Sequence, residues 1–90
     1  MTTRDEIAQA VRDVFQSALK VEPDRLQPDT VLRDELALDS LDMVEVVYEL
    51  EERFDVQIPE DRVGKISTFQ EVVDGLAEAL NAKGDPAADA

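Results

Sequence analysis

Apolar positions recur at helical spacing in three stretches of the chain. Ile7, Val11, Val14, Phe15, Ala18 and Leu19 share one face of a first helix, and Thr3 with Glu6 has the spacing of a capping box. Met43, Val46, Val47, Leu50 and Phe54 form the core stripe of a second helix over Ser40–Phe54, with Asp39 as its N-cap. Phe69, Val72, Val73, Leu76 and Leu80 mark a last helix behind a second capping-box pair, Thr68 and Glu71. The stretch from Lys20 to Thr30 is broken by Pro23 and Pro28 and reads as a long connection. Leu26, Val31, Leu32 and Leu36 are placed to tuck it against the core. Ile58-Pro59 leads into a short helical turn at residues 60–65, kept short by Gly64. The closing "DPAADA" is small and polar, so residues 83–90 are assigned to a frayed tail and residues 1–82 to one domain. The fold predicted is all-α: a small four-helix bundle of three longer helices and one short one.

The second helix carries more apolar residues than one buried face needs. At roughly 100° per residue, Leu41, Val44 and Tyr48 fall nearly opposite the core stripe. Glu45 and Glu52 are interleaved with them, and Glu49 and Glu51 flank them. A bundle this small cannot bury both faces. Single apolar residues on a surface are ordinary. Three in register, beside a helix start and rimmed by one sign of charge, point to a docking strip.

Charge sharpens that reading. The 90 residues hold 22 acidic and nine basic side chains, a net −13. Between Asp39 and Asp61 nine carboxylates face only Arg53, whereas the first 20 residues balance three cations against three acids. Such a surface repels nucleic-acid phosphates and anionic membranes and steers basic protein partners. No stretch has the pattern of a signal peptide or the length of a membrane span, which points to a cytoplasmic protein, expected to be a monomer. With neither Cys nor His, the chain has no disulfide, no thiolate metal site and no nucleophile–base pair. The acidic segment "EPDRLQPDTVLRDE" lacks the central Gly and the ligand spacing of a calcium loop.

Ser40 is the remaining chemical handle. A serine at a helix start is ordinarily a cap, but Asp39 can fill that role and leave the hydroxyl at the positive end of the helix dipole. A phosphate ester there would be stabilised by first-turn amides. Nothing in the chain can activate Ser40, so any modification must come from another enzyme.

The run "DSLDMVEVVYELEERFDVQIPEDRVGKISTFQEVVDGL", from Asp39 to Leu76, resembles an acyl carrier protein. An Asp-Ser-Leu start, an acidic helix, an Ile-Pro-acidic turn and a Thr-capped last helix follow in order without a gap. The resemblance implies that Ser40, beside Asp39, carries 4′-phosphopantetheine taken from coenzyme A by a phosphopantetheinyl transferase, with acyl groups held as thioesters on its thiol. It also implies that the second helix meets the partners: an acyltransferase or acyl ligase, a ketosynthase and other pathway enzymes. Leu41, Val44 and Tyr48 would make the apolar contacts, and Asp39, Asp42, Glu45, Glu51 and Glu52 the charged ones. The apolar interior is expected to part for an acyl chain. Many members have Gly where this chain has Ala37, so the backbone there is expected to avoid a positive φ. A freestanding carrier of a discrete fatty-acid or polyketide pathway leads. A peptidyl or aminoacyl carrier, and a helical adaptor that binds proteins without covalent cargo, stay open as alternatives.

Overall fold

The computed structural model describes residues 3–83. Among them are α1 (Arg4–Leu19), α2 (Leu32–Leu36), α3 (Ser40–Phe54), α4 (Glu60–Val63) and α5 (Phe69–Lys83), with a 3-10 turn at Pro23–Arg25. The three long helices stand where the periodicity puts them. Lys83 closes α5, one residue into the segment assigned to the tail; the rest of that assignment, 84–90, lies outside the described residues.

Local chemistry sets the helix starts. Thr3 and Glu6 form a reciprocal capping box at α1, and Asp39 and Asp42 form one at α3. Each box satisfies amides that a helix start leaves without partners. At α5, Glu71 accepts from the backbone N–H and the hydroxyl of both Ser67 and Thr68.

The apolar faces meet in one core that includes Ile7, Phe15, Leu26, Leu50, Phe69 and Leu76, all fully buried. Phe15 and Phe69 pack edge to face with ring centroids 6.4 Å apart. Arg12 lies over the outer side of this pair, its guanidinium 4.7 Å from the Phe69 ring centre, and donates to the Leu26 carbonyl at 3.0 and 3.2 Å. One side chain thereby fastens the long connection to both α1 and α5.

That connection is more ordered than its two prolines predict. The amides of Phe69 and Gln70, which the start of α5 leaves unpaired, donate to the carbonyls of Thr30 and Pro28 at 3.1 and 3.0 Å. Leu32 N–H donates to Ser67 O at 2.9 Å, and Val31 and Thr68 form an isolated antiparallel bridge. So anchored, the chain closes a turn of helix, α2, that the sequence pattern does not announce. Five residues are too few for periodicity to show.

Ala37 overturns an expectation. Its backbone is left-handed, φ 54° and ψ 36°, and it ends α2 by donating its N–H to Leu32 O. Left-handed geometry costs a non-glycine residue about 1–2 kcal/mol. Burial of the next side chain, Leu38, offsets it, because the sharp turn drops Leu38 into the core and brings Asp39 and Ser40 out to the surface.

Candidate functional site

Ser40 is the first residue of α3 and is exposed. The capping work at this helix start is done by its neighbours: Asp39 Oδ1 accepts from Asp42 N–H at 2.9 Å, and Asp42 Oδ2 accepts from Asp39 N–H at 3.1 Å. Among the described residues nothing hydrogen-bonds the Ser40 hydroxyl. A short polar side chain is therefore presented to solvent at the positive end of a 15-residue helix.

Beside it opens a groove of about 840 Å³. Its apolar lining comes from Met43 and Val47 on α3, Ile58 and Pro59 in the following loop, Val63 on α4, and Ile66. Ser40 and Arg33 line it as well. α4 is only four residues long, and with Gly64 and Ile66 it forms the wall of the groove that faces α3. Met43, read from the sequence as core, is accordingly only half-buried.

The apolar strip stands out from the surface: Leu41 is 77% exposed, Val44 56% and Tyr48 61%. Its position differs from the sequence reading in one respect. Val44 and Tyr48 line the same groove as Met43 and Val47, so these two form its outer lip and are not set apart from the core stripe, while Leu41 stands outside the groove lining.

The six carboxylates expected to surround the strip divide into two kinds. Asp39, Glu45, Glu49 and Glu52 are exposed. Asp42 and Glu51 are half-buried and have structural partners: Asp42 closes the capping box, and Glu51 Oε2 accepts from Ile58 N–H at 2.7 Å across the end of the groove. Among the described residues, no three acidic side chains come close enough to hold a metal ion. No helix among them is long and apolar enough to cross a membrane.

Sequence reasoning did not pick out Ile58, Val63, Ile66 or Arg33 as part of this site. Val63 and Ile66 are three residues apart in a segment too short to display a face, and an isolated arginine carries no pattern at all.

Comparison with known proteins bears on the domain as a whole. The family described as "Phosphopantetheine attachment site" matches residues 9–76. An acyl carrier protein of Chlorobium phaeobacteroides is 43% identical over 76 residues, 84% of this chain and 97% of its own. One from Rubrobacter xylanophilus is 39% identical over 75 residues, 83% of this chain and 93% of its own.

The chain belongs to the acyl carrier protein family.

An acyl carrier protein is a carrier and not an enzyme, and its prosthetic group is 4′-phosphopantetheine. That division suits a chain without His or Cys, since the reactive atoms belong to the group and to partner enzymes. The residues around Ser40 fit such a group. They offer a free exposed hydroxyl, first-turn amides, and an apolar groove alongside.

Proposed function

We propose that Ser40 is the attachment point of 4′-phosphopantetheine and that residues 1–82 form the carrier domain. In this reading a phosphopantetheinyl transferase joins Ser40 Oγ to the pantetheine-bearing phosphorus of coenzyme A. The bond to adenosine 3′,5′-bisphosphate breaks, and the hydroxyl proton leaves to a base of the transferase. When bound, the group supplies a thiol that holds an acyl chain as a thioester.

The observation that carries this reading is the free, exposed Ser40 hydroxyl beside the groove, its helix start already capped by Asp39 and Asp42. The amides of Ser40 and Leu41 remain to stabilise the negative charge of a phosphate esterified to Oγ. Met43, Val47, Ile58, Val63 and Ile66 offer an apolar lining to a hydrocarbon chain, which gains about 0.8 kcal/mol per buried methylene.

The same reading gives the partner surface to α3. Leu41, Val44 and Tyr48 supply apolar contact, while Glu45, Glu52 and Asp39 attract and orient basic patches on cytoplasmic acyltransferases or acyl ligases, ketosynthases and the transferase itself. Asp42 and Glu51 act with them through the single oxygen each leaves outside its backbone hydrogen bond. The pathway is a discrete fatty-acid or polyketide route.

Incubation with coenzyme A and a broad-specificity phosphopantetheinyl transferase, followed by intact mass, tests the attachment. The expected result is one added arm on the wild-type protein and none on Ser40→Ala. Loading of Ser40→Ala, or none on the wild type, refutes it.

A further inference from the structure

The surroundings of Ser40 are poor in positive charge. Asp39 and Asp42 flank its helix turn, and Glu51 and Glu60 line the adjoining groove. A phosphodiester at Ser40 adds another negative charge to this set. One cation lines the groove, and it is Arg33.

Arg33 is placed there by the fold. Hydrogen bonding of Leu32 to Ser67 anchors the start of α2, and the left-handed turn at Ala37 folds the chain back so that α2 and the first turn of α3 border the same groove. The chain's other five arginines are all engaged. Arg4 pairs with Asp74, Arg53 with Asp13 and Arg62 with Glu78, while Arg12 and Arg25 donate to the carbonyls of Leu26 and Glu35. Arg33 is exposed and, among the described residues, has neither a hydrogen bond nor an ion pair. A guanidinium with a free fork, lining the groove that Ser40 also lines, has the donor set for a phosphodiester.

We propose that Arg33 pairs with the phosphodiester on Ser40 and so leans the arm onto the groove rather than out into solvent. This rests on the attachment reading above. Arg33 is then a positioning residue: it sets how often the arm is docked, while the apolar lining holds what the arm carries. If Arg33 only offset the field of Glu51 and Glu60, its environment would be the same with and without the arm.

The test compares wild type, Arg33→Gln and Arg33→Lys, each loaded from coenzyme A and checked by intact mass. Methyl and arginine Nε spectra are then recorded for unloaded and loaded forms. Matching unloaded spectra at core methyls establish that the variants fold. In the loaded wild type, the Arg33 Nε signal and the methyls of Met43, Val47 and Val63 are expected to shift, and 0.5 M salt to reduce those shifts. In Arg33→Gln the ratio of docked to free arm is expected to fall about two- to fivefold, the range for a partly exposed ion pair. Arg33→Lys, a point charge without the fork, is expected to lie between them. An Arg33 signal unchanged by loading, or equal methyl shifts in all three loaded proteins, overturns the pairing and leaves the attachment standing. Absence of any mass gain overturns both.

Discussion

Glu51 accepts the backbone N–H of Ile58 at 2.7 Å, tying the last turns of α3 to the loop that forms the far wall of the groove. The bond fixes where Ile58 and Pro59 stand relative to Met43 and Val47. It also means that a carboxylate in the acidic stripe serves the fold first. A hydrogen bond to a charged group contributes about 1.5–3 kcal/mol when buried. Glu51 is half-buried, so Glu51→Ala is expected to cost about 1–2 kcal/mol in urea unfolding. Glu51→Gln keeps an acceptor oxygen and should lose less than half of that. Losses near zero for both variants would show that the bond to Ile58 does not matter.

Glu71 makes a pH-dependent contribution of known sign. Its carboxylate accepts from the Ser67 and Thr68 amides and from both hydroxyls, and these bonds hold its pKa below the ordinary 4.5, most strongly the one to the Ser67 amide. A folded-state pKa below the unfolded value means that the unfolded chain binds more protons as pH falls. The contribution is therefore full above the unfolded value and is lost as pH drops through the folded one. Urea midpoints measured from pH 6 down to the acid limit should fall more steeply for wild type than for Glu71→Gln. Parallel curves would remove Glu71 from the account of acid sensitivity.

Gly75 sits inside α5, where Arg62 crosses it to reach Glu78 at 3.1 Å. A Cβ at Gly75 would meet Arg62 Nε at 3.5 Å and Cγ at 3.8 Å, ordinary contact distances. Sterics therefore do not oppose alanine, and helix propensity favours it by about 0.8–1 kcal/mol. Gly75→Ala is expected to raise the urea midpoint with the slope unchanged. Gly75→Leu is expected to displace Arg62 and loosen α4, seen as faster hydrogen exchange over Glu60–Val63.

Ala37 offers a test in which two effects oppose each other. Glycine would relieve about 1–2 kcal/mol of left-handed strain. It would also give the unfolded chain more freedom, a loss of about 0.4–1 kcal/mol. The first term is larger, so Ala37→Gly should stabilise by about 0.5–1 kcal/mol in urea unfolding. Ala37→Val, β-branched at a positive φ, should destabilise strongly.

What the sequence revealed and what it withheld follow from the range of the forces involved. The three long helices and the capping of α3 by Asp39 were legible because periodicity and capping act over three or four residues. Exposure of Leu41, Val44 and Tyr48 was legible for the same reason, as a surplus of apolar residues on one helix. The left-handed Ala37 was misread, because local propensity argued against it while burial of Leu38 and the anchoring of Leu32 decided it. The groove, the Glu51–Ile58 bond and the place of Arg33 depend on how α2 and α4 pack around α3, which no short window contains.

The strip on α3 separates docking from loading. Val44 and Tyr48 are more than half exposed, so Val44→Asp and Tyr48→Asp should leave the unfolding free energy within about 0.5 kcal/mol of wild type. Attachment of the arm at Ser40 should be slowed in both, because the transferase reads the same strip, and should still reach completion with excess transferase, so that loaded protein can be tested. Acyl transfer with a basic partner should weaken, because a carboxylate in an apolar contact is desolvated without compensation. The two substitutions need not act alike, since Val44 and Tyr48 also line the groove and each can disturb the arm directly. Charge reversal at Glu45 or Glu52 separates the two causes: both are exposed and neither lines the groove. Glu45→Lys and Glu52→Lys should slow association and flatten its salt dependence while leaving the groove methyl spectrum of the loaded protein unchanged. Transfer rates that stay at the wild-type value in all four variants would move the docking surface off α3.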